Sequence, residues 1–99
     1  MTENSLRVVA RIKAGPDNVS AVRTILSGLL EPTRAESGCV SYQLLQNRKD
    51  PTDFTFVEEW QDDSAFDAHL SSHHLQQALP KLESIAVEPP DIRTYSVVS

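Results

Sequence analysis

The sequence predicts an α+β domain whose elements run strand, helix, strand, strand, helix, strand. Three observations predict it. Four short stretches, residues 6–13, 39–48, 54–60 and 92–98, show the period-two alternation of half-buried strands. Between the first and second of these, and again between the third and fourth, apolar residues recur at helical spacing. Only the turn-forming run Asp50-Pro51-Thr52-Asp53 separates the second stretch from the third, which predicts a hairpin.

Each element has a local reason. Residues 6–13, LRVVARIK, place Leu6, Val8, Ala10 and Ile12 on one face of a strand. Gly15-Pro16 opens the first helix, because proline at the first helical position forfeits no hydrogen bond. Val19, Val22, Ile25, Leu26, Leu29 and Leu30 form its apolar stripe, and Pro32 is expected to kink or end it. Thr33–Ser37 reads as a further short turn that Gly38 stops. CVSYQLLQNR is the second strand and residues 54–60 the third. Asp62, Asp63 or Ser64 caps the next helix, which runs to about Leu70. Ser71-Ser72 breaks it, and Ser72 is a second cap. Leu75, Ala78, Leu79, Leu82 and Ile85 mark the following apolar face; Pro80 leaves open one helix or two. Pro89-Pro90 ends this region, and IRTYSVV is the last strand. Helices in these two crossovers allow a four-stranded antiparallel sheet covered on one face, the ferredoxin-like β-α-β-β-α-β arrangement. With 99 residues the chain is one domain, residues 1–99.

Alternation divides the sheet into two faces. The more apolar set, expected under the helices, is Leu6, Val8, Ala10, Ile12, Val40, Tyr42, Leu44, Phe54, Phe56, Glu58, Trp60, Ile92, Thr94, Ser96 and Val98. The opposite set mixes Arg7, Arg11, Lys13, Gln43, Glu59 and Arg93 with Val9, Leu45, Val57, Tyr95 and Val97. A second copy laid on that face would bury its apolar members and enlarge a thin core, so a homodimer packed sheet to sheet is expected.

Composition excludes several classes. The formal net charge of −5 and scattered basic residues argue against a nucleic-acid or anionic-membrane surface, which needs clustered Lys and Arg. No apolar run approaches the length of a membrane span. The start, MTENSLRV, lacks the basic and apolar regions of a secretory leader, and one cysteine, Cys39, suits a reducing compartment. A cytoplasmic protein is expected. No glycine-rich phosphate loop or dinucleotide fingerprint is present, so no cofactor is expected.

The candidate chemistry lies between Phe54 and His74. Tyr42, Glu58, Thr94 and Ser96 are polar groups in the apolar layer, with the Trp60 indole nearby. A buried carboxylate needs a partner. On the following helix Phe66, His69 and Leu70 share a stripe, so His69 turns toward that layer and Glu58 is its expected partner. A carboxylate beside an imidazole fixes its tautomer and suits a general base. His73 and His74 read as surface residues near a helix start. His69 and His73 have the four-residue spacing of one helical face, but Ser71-Ser72 interrupts it, and no metal site is expected.

Three pieces of the chain resemble the antibiotic biosynthesis monooxygenase family, which includes quinol monooxygenase-like, dimeric α+β-barrel proteins. PTRAESGCVSYQL resembles its Glu-x-Gly-Cys/Asn-x-x-Tyr pattern through Glu36, Gly38, Cys39 and Tyr42. FVEEW resembles its Glu-x-Trp through Glu58 and Trp60, and AFDAHLSSHH its paired histidines through His69 and His74. The resemblance implies a dimeric barrel and a pocket between sheet and helices. For many members it also implies oxygenation without metal or flavin, on an electron-rich phenol, quinol or anthrone. On that basis Tyr42, Trp60 and Phe66 are expected to form the substrate pocket, His69 supported by Glu58 to be the base, and His74 to line the entrance. The expected function is a cofactor-independent monooxygenase using dioxygen on a small aromatic, quinol or polyketide-like substrate. Isomerisation of a small oxo-sugar or dicarbonyl compound and non-catalytic ligand binding are the alternatives. Haem degradation is disfavoured, because residues 6–13 contain no Asn and no His follows His74.

Overall fold

The structure, a computed structural model, describes residues 5–99. Residues 1–4, part of the stretch read above for a leader, lie outside the described residues. The expected element order is found. The strands are β1 (Leu6–Lys13), β2 (Cys39–Gln46), β3 (Asp53–Trp60) and β4 (Asp91–Tyr95). The helices are α1 (Val19–Ser27), α2 (Leu30–Arg34), α3 (Asp63–Leu70) and α4 (His73–Glu83). The sheet order is β2-β3-β1-β4 with every pairing antiparallel, which is the ferredoxin-like topology. No helix is long and apolar enough to cross a membrane, among the described residues.

The core sits between the sheet and the helices. Val8, Ile12, Phe54, Phe56 and Trp60 from β1 and β3 meet Val22 and Leu26 of α1 and Ala78 and Leu82 of α4, all buried. Pairing explains why β1 and β3 dominate: they are the two central strands, and their registers align Val8 with Glu58 and Ala10 with Phe56 on the covered face.

Several local expectations shift. The first helix starts at Val19, after a turn through Pro16 and Asp17, with Asn18 as its N-cap. The break after it falls at Gly28-Leu29 rather than at Pro32, which sits inside the first turn of α2 where it forfeits nothing. Asp62 caps α3 by accepting from the Ala65 N–H, and Ser72 caps α4 by accepting from the Leu75 N–H. Helix α4 runs unbroken through Pro80, whose ring faces solvent. Val40, expected inside, is 58% exposed: a register irregularity between Cys39 and Ser41 turns it outward and restores phase at Tyr42. Strand β4 ends at Tyr95 and all its residues are exposed, because it is an edge strand at the margin of the helical layer.

Candidate active site

The site forms where two turns of chain converge, one between α2 and β2 and one between α3 and α4. Gly38, with φ of 88°, reverses the chain between α2 and β2, and its carbonyl accepts from the Gln61 N–H at 2.8 Å. This turn holds Glu36 above the sheet. The Ser71-Ser72 break separates α3 from α4, so His69 occupies the last turn of one helix and His74 the first turn of the next. The two rings converge on one carboxylate oxygen. His69 Nδ1 and His74 Nε2 each lie 2.7 Å from Glu36 Oε2.

An ionised carboxylate only accepts, so each of these nitrogens carries its hydrogen. That assignment leaves His69 as the Nδ1–H tautomer with a bare lone pair on Nε2. No hydrogen bond among the described residues uses that Nε2. His69 is 3% exposed and lines an apolar cavity. Its ring packs 4.8 Å from Trp60 and 5.6 Å from Tyr42, centroid to centroid. The imidazole is thus fixed on three sides, and its free nitrogen is the feature of this site best suited to take a proton.

The partner expected for His69 is a different one. Glu58 Oε1 accepts from Trp60 Nε1 at 2.8 Å, and no hydrogen bond joins Glu58 to His69. Residues two apart on a strand point the same way, so the Trp60 indole reaches back to Glu58. Glu36, from a turn twenty-two residues earlier in sequence (58 − 36), reaches His69 instead. Glu36 is the carboxylate that reasoning from alternation does not bring to His69. Its signal was present only as the first position of the Glu-x-Gly-Cys-x-x-Tyr pattern.

Glu58 remains in the site in another capacity. Burial pushes its carboxyl up to about 7, with the nearby Glu36 charge adding to the effect and the Trp60 N–H opposing it. Burial also pushes the Tyr42 phenol well up, and the Glu58 charge reinforces this. Tyr42 is therefore an O–H donor at neutral pH, and Glu58 is poised between acid and anion.

This ionisation has a consequence for stability. Below about 4.5 both the folded and the unfolded chain hold the Glu58 proton, and burial exerts no electrostatic penalty. Between there and about 7 only the folded chain holds it, so stability falls as pH rises. Above that window the full penalty, roughly 3 kcal/mol, is present. Glu58→Gln keeps an acceptor for Trp60 and should flatten urea-unfolding free energies across this window. A slope identical to wild type would contradict the shift.

The cavity encloses about 80 Å³ and is lined by Tyr42, Phe56, Glu58, Phe66 and His69, with Leu75, Leu79 and Leu82 of α4 among the apolar residues closing it. It shares Leu79, Leu82, Pro90 and Ile92 with a wider cleft of about 560 Å³ beside the Val87–Pro90 loop. Tyr42 and Phe66 thus stand where a pocket wall was expected. Trp60 does not line the cavity; fully buried, it backs His69 and holds Glu58. His74 does not line it either, and its expected place at an entrance gives way to the bond with Glu36. His73 is exposed, as expected.

Fold and geometry together define a small α+β protein with a carboxylate-held imidazole on the wall of an apolar cavity. The antibiotic biosynthesis monooxygenase family matches residues 5–81, and the chain belongs to that family. A candidate monooxygenase of Mycobacterium tuberculosis, Rv0793, is 39% identical over 67 residues, 68% of this chain. The uncharacterized protein sll1783 of Synechocystis is 25% identical over 95 residues, 96% of this chain. The matched region spans 65% of the length of each of these two relatives. Among solved structures, PA3566 of Pseudomonas aeruginosa superposes with a TM-score of 0.92 at 29% identity, covering 100% of this chain and 99% of that one.

Proposed function

We propose that the protein is a cofactor-independent monooxygenase acting on a small electron-rich aromatic, quinol or polyketide-like compound. The observation that carries this reading is the Glu36–His69 pair, with an unengaged imidazole nitrogen at an apolar cavity. His69 Nε2 removes a proton from a phenol, or from a ring CH₂ beside a carbonyl. The resulting anion passes one electron to dioxygen, and the radical pair joins as a carbon-bound peroxide. Protonation of the peroxide and loss of water then convert CH₂ and O₂ to C=O and H₂O, or a phenol with its ring C–H and O₂ to a quinone and H₂O, so atoms and electrons balance. Glu36 stabilises the imidazolium formed in the first step. The Tyr42 hydroxyl and protonated Glu58 donate to the oxyanion and supply the proton to the departing oxygen. The apolar lining favours the neutral dioxygen molecule and keeps competing water out.

The division between a small inner cavity and a wide cleft supports a substrate whose reacting ring enters beside His69 while the rest lies along Pro90 and Ile92. Family membership and the open sheet face support a homodimer. Leu45, Val57 and Tyr95 are each more than 40% exposed on the face away from the helices, and Val97, just beyond β4, is 46% exposed. Light scattering at micromolar protein should give twice the chain mass, and a monomer would remove this part of the reading. The single thiol, Cys39, fits a reducing cytoplasm.

Oxygen uptake is the direct test. Metal-free protein should consume dioxygen with at least one member of a panel of hydroxyquinols and anthrones, faster than buffer alone. Turnover that continues under nitrogen would instead select an isomerase. Binding without turnover would select a ligand carrier.

A further inference from the structure

We infer that Glu36, His69 and His74 form a binding site for one divalent transition-metal ion of the zinc type, and that occupancy switches off the His69 base. The three side chains each offer one donor atom, and these atoms all lie within 4.8 Å of one another. Two imidazole nitrogens and one carboxylate oxygen suit zinc, cobalt, nickel or copper, and do not suit magnesium or calcium, which prefer all-oxygen sets. At metal–ligand distances of about 2.0–2.2 Å, tetrahedral donors stand roughly 3.3 Å apart. The two N···O separations of 2.7 Å must therefore open slightly while the rings close on each other. Glu36 can make this adjustment, because it projects from a turn and is partly exposed, whereas His69 is fixed among aromatic rings. With Glu36 and His74 both partly exposed, the fourth position faces solvent and takes water.

The same geometry dictates the effect on His69. In the hydrogen-bonded state Nδ1 carries the hydrogen and Nε2 is bare. A metal ion on Nδ1 requires that nitrogen to be unprotonated, so the neutral ring must carry its hydrogen on Nε2. His74 changes in the opposite sense, from Nε2–H to Nδ1–H, with no net proton gained or lost. Metal on the triad thus converts the cavity-facing nitrogen of His69 from a proton acceptor to a proton donor. The base and the metal site use the same three residues and cannot operate together.

The proposal rests on the same His69 as the oxygenase reading, but its tests need no substrate, so the two can fail separately. Metal-free protein titrated with zinc chloride in a calorimeter should bind one ion per chain. Cobalt chloride should give the intense visible bands of a four- or five-coordinate ion. Glu36→Gln and His74→Ala should each weaken zinc binding by at least about tenfold, while exposed His73→Ala leaves it unchanged. Circular dichroism checks that each variant is folded; if Glu36→Gln is not, the partly exposed His74→Ala decides. No saturable binding, or binding that survives both variants, overturns the site. Nitrogen-15 spectra of the histidines read the switch: His69 should pass from Nδ1–H to Nε2–H as zinc is added. His69 retaining Nδ1–H at saturating zinc overturns the switch.

Discussion

Glu36→Gln is expected to lower the rate of oxygen uptake by up to about 10²–10⁴-fold, the range that a positioned base contributes. The reason is the tautomer. Glu36 holds a hydrogen on His69 Nδ1 because a carboxylate can only accept. A glutamine can present its amide NH₂ instead, which places the hydrogen on Nε2 and removes the base from the cavity. His69→Ala should abolish the same contribution outright. His74→Ala should leave Glu36 bonded to His69 alone, and its loss should be smaller than either. The check is kcat for the three variants at a temperature where circular dichroism shows each one folded. Equal rates in wild type, Glu36→Gln and His69→Ala would refute the assignment of the base.

Gly38→Ala is expected to produce the largest loss of stability among the three Gly→Ala changes this chain allows. A Cβ built at Gly38 stands 2.5 Å from the Ala65 Cβ, closer than side chains approach one another. The backbone there also has φ of +88°, which costs a residue with a Cβ about 1–2 kcal/mol. Relieving the contact requires α3 to move from the turn, at a further cost of about 1–3 kcal/mol. In a domain of this size each kcal/mol lowers Tm by roughly 4–8 °C. The displacement would also separate the Glu36 turn from α3, so activity should fall even at temperatures where the variant remains folded. Gly28→Ala provides the contrast. Its φ is −65° at the end of α1, and the nearest atom to a new Cβ is 3.4 Å away. That change should be neutral or stabilising by about 0.4–1 kcal/mol, through the unfolded chain. Thermal melts of the two variants beside wild type, at one protein concentration, distinguish them.

Much of the fold was legible because it depends on local rules. Alternation located all four strands, and the covered face of β1 and β3 was read correctly from Val8 to Trp60. Asp62 and Ser72 were recognisable as caps from their chemistry and position alone. The misplacements share a cause. Val40 followed the alternation until a bulge displaced it, and β4 looked like a half-buried strand although its place at the edge leaves it exposed. Neither the bulge nor the edge position has a signature within the few residues concerned.

The candidate site divides in the same way. The sequence by itself determined which side chains face the apolar layer: Tyr42, Glu58, Phe66 and His69 lie on it because strand and helix periods are set by backbone geometry. It also determined that α3 must stop near Ser71, since Ser72 offers the next helix a cap. Only the tertiary structure decided which carboxylate meets His69. Two were available, and the nearer in sequence, Glu58, is taken by Trp60 on its own strand. Glu36 arrives through a turn set by the positive φ of Gly38, and His74 through the change of direction between α3 and α4. Periodicity reports the direction of a side chain within one element. It carries no information on how separate elements are placed against each other, and the contact of Glu36 with both histidines depends on that placement.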